Sequence, residues 1–195
     1  MSRQTRLRIA HEAARMMADD SVTDIVFAKK KAMQRLGIRN RHLSPDNSEV
    51  ESALYEYQQL FRSEQQKTLL NEYRKTALNA MIMLQPFSPR LTGPVLRGTA
   101  NKNNSVSLHV FTDTPEEIHF HLTDHKIPFE IDETQYPLSK KNSVVCPVCR
   151  FFAGEIEIIL SIFPYNGLRQ APLSPIDEKP MKRADIENVK ELISG

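Results

Sequence analysis

The sequence predicts an α+β fold: an N-terminal helical bundle followed by a small mixed β-sheet domain with helices packed on one side. Two observations predict it. Apolar residues recur at helical spacing through the first 85 residues, and from Arg90 the period drops to two, with Pro86 and Pro89 standing at the change. The expected boundaries are a helical domain at 1–85, an α+β domain at 86–165, and a proline-rich tail with a C-terminal helix at 166–195 packed on it.

Each element has its own signal. In "RLRIAHEAARMMA", Leu7, Ala10, Ala14 and Met17 share a helical face. A second helix covers "DIVFAKKKAMQRLG", with Gly37 as its stop. Ser48 and Glu51 have capping-box spacing ahead of a third helix whose face carries Val50, Leu54, Tyr57 and Phe61. A fourth runs through Leu69, Leu70, Tyr73, Ala77, Met81 and Leu84. "SVSLHVF" then alternates, with Val106, Leu108 and Val110 on one face and Ser105, Ser107 and His109 on the other. After Asp113, Thr114 is placed to cap a helix with Pro115, Glu116 and Glu117 in its first turn. "IPFEI" reads as a short strand, and "VVCPVCRFFAGEIEIILSIF" as two strands joined at Ala153-Gly154. "PYNGLRQAPLSPIDEKP" runs extended, and a last helix places Ile186, Val189 and Ile193 on one side.

Composition narrows the function classes. Hydrophobic residues make up 40% and charged residues 26%, which excludes global disorder. No run approaches the 18 apolar residues of a membrane span, and "MSRQTRLRIAHEAARMM" is too charged for a signal peptide. A cytoplasmic, non-membrane protein is expected. Residues 1–41 hold ten Lys/Arg against four Asp/Glu, while the remainder holds sixteen against twenty. Nucleic acid is therefore a candidate partner of residues 1–41, with Lys29, Lys30 and Lys31 facing phosphates.

Several groups have the residue types that carry chemistry. Gly93 in a turn followed by Arg97 can offer backbone N–H groups and a guanidinium to a phosphate, and Gly98 permits a positive φ. Gly93, Arg97, Gly98 and Thr99 are the candidate nucleotide- or phosphate-binding residues. Glu155 and Glu157, two apart on a strand, share a face that can meet a hard cation such as Mg²⁺. Cys146 and Cys149 have the spacing of half a zinc site, and His121 and His125 lie four apart on a helix, so the four form a weak Cys2His2 alternative. Arg169 is either a tail residue held down by prolines or an arginine that folds back to the sheet.

The block "GPVLRGTANKNNSVSLHVF", then "TPEEI", then "AGEIEIILSIFP", resembles the nucleotidyltransferase fold of the DNA polymerase β superfamily. That fold has a glycine-serine turn, a helix, a strand with an acid-x-acid pair and a later strand with a third acid. More closely, "RIAHEAARMMADD", "EVESALYEYQQLF", "PVLRGTA", "LHVFTDTPEE" and "LRQAPLSPIDEKPMKRAD" are similar to an uncharacterised proteobacterial group of nucleotidyltransferase-like proteins, over nearly the whole chain. The resemblance implies that Gly93 is the turn glycine, with Pro94 where serine is usual. It places Ser105 and Ser107 at the acid-pair positions and makes Glu157 the remaining acid. Nucleotidyl transfer relies on carboxylates that hold two Mg²⁺ ions over the phosphate, so two serines imply a degenerate metal site. The leading expectation is a protein that binds nucleotide or phosphate without efficient transfer, with no certain cofactor. Asp113 or Glu155 are the acids that a substitute site would use. The alternatives are an active nucleotidyltransferase, which requires Mg²⁺, and a regulatory or nucleic-acid-binding module acting through the basic N-terminus. Nucleotide identity, acceptor and oligomeric state stay open.

Overall fold

Alanine spacing explains how the first helices meet. The structure, a computed structural model, describes residues 2–19, 22–61, 64–139 and 141–194. Helix α1 (Ser2–Asp19) buries Ile9, Ala10, Ala13, Ala14, Met16 and Met17; α2 (Ile25–Arg35) buries Ala28 and Ala32; α3 (Asn47–Phe61) buries Val50, Ala53 and Leu54. Small side chains at the crossings let the helix backbones approach closely, and the larger Ile9 and Met16 fill what remains. Leu7, assigned to the apolar face of α1, is exposed instead. The side chain of Phe61, assigned to the face of α3, lies outside the described residues.

The helix ends follow local chemistry. Asp24 caps α2 by accepting from the N–H groups of Val26 and Phe27, and Gly37 stops the chain beyond it at φ +69°. The capping box of α3 is Asp46 with Glu49 rather than Ser48 with Glu51. Asp46 Oδ1 accepts from the Glu49 N–H at 2.8 Å, and Glu49 Oε2 accepts from the Asp46 N–H at 2.8 Å. Ser48 donates its hydroxyl to Asp46. An aspartate accepts from the first turn at full charge, so it takes the position.

Helix α4 (Glu64–Met83) carries the chain to a 3₁₀ turn at Gln85–Phe87 and strand β1 (Arg90–Thr92). Then follow α5 (Gly93–Arg97), β2 (Val106–Phe111), α6 (Glu116–Asp124), β3 (Glu130–Pro137), β4 (Ser143–Ala153), β5 (Ile156–Phe163) and α7 (Ile186–Ser194). Thr114 contributes no side-chain cap to α6. The helix start is held instead by Thr112 ahead of it, which donates its hydroxyl to the Glu117 carboxylate at 2.6 Å and accepts from the Thr114 N–H. The strand expected at "IPFEI" begins at Glu130 and runs on to Pro137.

The five strands form one mixed sheet in the order β1-β2-β5-β4-β3, in which β2 and β5 are parallel and the other pairs antiparallel. The β4–β5 hairpin turns at Gly154-Glu155, since Ala153 pairs with Ile156 and Gly154 has φ +64°. One sheet face is apolar throughout: Leu91, Leu108, Leu160, Ile158 and Cys149 are fully buried there. The other is graded. It begins polar at Ser105 and Glu157 and ends aromatic at Phe111 and Phe163, both buried.

The described residues divide into two compact units. One is Met1–Leu69 with Gly98–Asn103 and Pro175–Asp177; the other is Leu70–Arg97, Asn104–Ser174 and Glu178–Gly195. The loop at 98–103 is bound within the helical unit: Gln58 Nε2 donates to the Thr99 carbonyl at 3.2 Å, Gln66 Nε2 to that of Ala100 at 2.6 Å, and Asn101 Nδ2 to that of Met17 at 3.0 Å. Within the sheet unit the tail does more than run over the surface. Its segment at Ala184 exchanges backbone bonds of 2.8 and 2.9 Å with Leu91 beside β1. Among the described residues no helix is long and apolar enough to cross a membrane.

Candidate functional site

Four of the sequence-predicted residues meet on the graded face of the sheet. Gly93 follows β1 at φ +73°, a conformation that favours glycine, and a Cβ there would lie 3.5 Å from Ser107 Oγ. Thr92, paired with Ser107, donates its hydroxyl to the Ser107 carbonyl at 3.2 Å. Ser105, just ahead of β2, donates to Glu157 Oε2 on the neighbouring parallel strand. Gly93, Ser107, Ser105 and Glu157 therefore make one patch, with the carboxylate taken up by the nearest hydroxyl.

Glu157 has a second neighbour that sequence reading missed. Arg150 on β4 places Nη1 3.8 Å from Glu157 Oε1 and donates from Nη2 to Asp132 Oδ2 at 3.2 Å. The Glu133 backbone N–H, and after it the Arg150 bond, hold the Asp132 carboxyl below its usual range. A row of Ser105, Glu157, Arg150 and Asp132 thus runs from just ahead of β2 across β5, β4 and β3. Beside it, Phe152 pairs with Glu157 in register, so its ring stands on the same face, and it is 66% exposed.

The other expected residues lie elsewhere. Glu155 sits in the hairpin turn and is exposed, so it shares no strand face with Glu157. Asp113 lies past the far end of β2 and accepts from the Tyr165 N–H at 3.0 Å. Neither is placed to restore an acid pair. Thr99 is buried and belongs, with Gly98 at φ +81°, to the loop of the helical unit. Arg97 closes α5, which has only five residues and begins Gly93-Pro94. Proline removes one of the N–H groups that a phosphate would use there.

The Cys2His2 set is not assembled. Cys146 and Cys149 are three apart on a strand, so they point to opposite faces: Cys146 packs with Phe111 and Phe163, while Cys149 pairs with Leu160. Both are buried free thiols whose pKa burial pushes up to about 11, which removes thiolate character. His121 Nε2 lies 2.8 Å from the Met83 carbonyl, and His125 Nδ1 2.8 Å from that of His121. Among the described residues no three His, Cys, Asp or Glu side chains are grouped to hold a metal ion.

The basic N-terminal segment is partly engaged internally. Arg6 donates to Glu49 at 2.7 Å, Arg15 and Arg35 both meet Glu12, and Lys29 donates to Asn47 and the Pro45 carbonyl. Lys30 and Lys31 remain on the exposed face of α2 beside Phe27, with Lys31 Nζ 5.8 Å from the ring centre.

The arginine that folds back to the sheet is Arg183, not Arg169, which is exposed. Arg183 donates from Nε to His109 Nδ1 at 3.0 Å and from Nη1 to the Gly167 carbonyl at 2.6 Å. Its guanidinium lies over the rings of Phe111 and Phe163, 5.1 and 5.4 Å from their centres. Burial, and then the nearby Arg90 charge, lower its pKa to about 10. His109, buried at 1% exposure, is driven to about 3 by burial and then by Arg183. Tyr136 and Ser161 share a 2.7 Å hydrogen bond on the same face. No signal within "LHVF" or "MKRAD" pairs these residues, because their contact spans 74 positions.

No protein-family model matches the chain, and no curated protein matches it significantly. The fold defines an α+β protein with a helical N-terminal part and a five-stranded mixed sheet.

Proposed function

We propose that the sheet unit is a nucleotidyltransferase-like domain with a degenerate metal site, which binds a nucleotide or another phosphate-bearing ligand at the Gly93–Ser105–Ser107–Glu157 patch without efficient transfer. The observation that carries this reading is the state of Glu157. It is the acid of the patch, and it accepts from Ser105 with the Arg150 guanidinium 3.8 Å away. A Mg²⁺ site needs several charged oxygens around the ion. Here the neighbouring positions offer two neutral hydroxyls, and a fixed cation already compensates the carboxylate. With the Ser105 O–H given to Glu157, the Ser107 hydroxyl is the one that donates to a phosphate or ribose oxygen, and Gly93 leaves room over Ser107 for a ligand to approach closely.

Titration calorimetry with ATP, GTP, CTP and UTP, each with and without Mg²⁺, tests this. The expected result is binding that does not need the ion, with no pyrophosphate released on prolonged incubation. Binding that appears only with Mg²⁺, or steady pyrophosphate release, overturns the degenerate-site reading in favour of an active transferase.

A further inference from the structure

We propose that Phe152 is a stacking platform for a nucleobase, so that the site takes a nucleoside polyphosphate rather than bare phosphate. This rests on the phosphate-binding reading of the same patch.

Phe152 is 66% exposed on β4, although its chain neighbour Phe151 is buried on the opposite face. No ring or cation contact holds it among the described residues, whereas Phe111, Phe163, Phe87 and Phe129 each have one. An exposed Phe forgoes burial of a large apolar surface, and a planar π face in water is what a base covers.

Register then says what lies beside it. Phe152 is the direct cross-strand partner of Glu157, and Glu157 bonds Ser105 at the entry to the next strand. Neighbouring strands are about 4.8 Å apart, so Phe152 stands about 10 Å across the sheet from Ser105. That separation matches the reach from a base to the outer phosphates of a nucleoside di- or triphosphate. With the phosphates at Ser107 and Gly93, beside the Ser105–Glu157 bond, the sugar crosses Glu157 and Arg150, and the base reaches Phe152. Stacking accepts any base, since every base has a π face, so modest discrimination with purines ahead of pyrimidines is expected.

The chain contains no tryptophan, so Phe152→Trp introduces a single fluorescent reporter at the platform itself. Three ligands are compared by calorimetry on the full chain: ATP, CTP and inorganic tripolyphosphate. The wild-type protein should bind ATP about tenfold or more tighter than tripolyphosphate, the advantage that one stacked base confers. Phe152→Ala should bring ATP down to the tripolyphosphate level and leave tripolyphosphate unchanged. Phe152→Trp should retain ATP binding, with fluorescence quenched by ATP and CTP but not by tripolyphosphate. ATP binding that is equal in wild type and Phe152→Ala overturns the platform, as does unquenched indole fluorescence of the Phe152→Trp variant at saturating ATP. If tripolyphosphate binds and the base adds nothing, only Phe152 is misassigned. If neither ligand binds, the patch itself is not a phosphate site and both readings fall.

Discussion

His109 shows how one buried side chain sets the response of the fold to acid. Its ring must remain neutral to accept the Arg183 Nε–H, and a proton on Nδ1 would place two cations in contact beneath Phe163. Its pKa is driven from 6.5 to about 3 in the folded chain. Between these values the unfolded chain binds a proton that the folded chain refuses, so acid favours unfolding and stability rises with pH across the window. The slope from this one ring approaches about 1.4 kcal/mol per pH unit once pH is well below 6.5. Urea unfolding of the wild type at several pH values between 6 and 4.5 should show it, and His109→Gln should flatten the curve even though it lowers overall stability. Equal slopes in the two proteins would mean that another group carries the acid response. The same neighbourhood makes Cys146 chemically quiet, since its thiol is closed in by Phe111 and Phe163.

At the scale of elements, local chemistry decides where helices begin. Asp46→Ala removes the acceptor for the Glu49 N–H and the Ser48 hydroxyl at the start of α3 and should cost about 1 kcal/mol. Ser48→Ala, at the position that spacing alone favoured, should cost much less, and a denaturant midpoint for each variant separates the two. Periodicity made α1 to α4 and β2 legible because each buries one continuous face. Strand β3 was legible only at its first two residues, since the rest of "EIDETQYP" is an exposed edge strand with no apolar alternation to read. A shift of one residue in the hairpin turn moved Glu155 off the strand while leaving Glu157 in place. Glu157 was legible as a strand-face acid from its spacing, whereas its grouping with Ser105 was expected only through resemblance. Arg150, Phe152 and Arg183 stayed hidden because register across distant strands, and not any local pattern, gives them their neighbours.

For the whole molecule, the path of the chain is as informative as its elements. The helical unit draws on residues 98–103, which lie after the first strand of the sheet unit. A fragment ending at residue 85 loses the carbonyls that take Gln58 and Gln66, and Gln58 is buried. An unpaired buried amide costs about 1–3 kcal/mol. Fragment 1–104 should therefore melt at a higher temperature than fragment 1–85 by circular dichroism, and matching melts would show that the loop adds nothing. The parallel pairing of β2 with β5 has a further consequence, for the order of events in folding. β3, β4 and β5 are joined by short antiparallel turns, whereas Ser105 and Glu157 meet across 52 positions. Closing that longer loop is slow compared with zipping hairpins. The patch that would hold a ligand is thus absent from any early meander and comes into being only when β2 docks, so a ligand bound there would select the finished sheet over every partly assembled one.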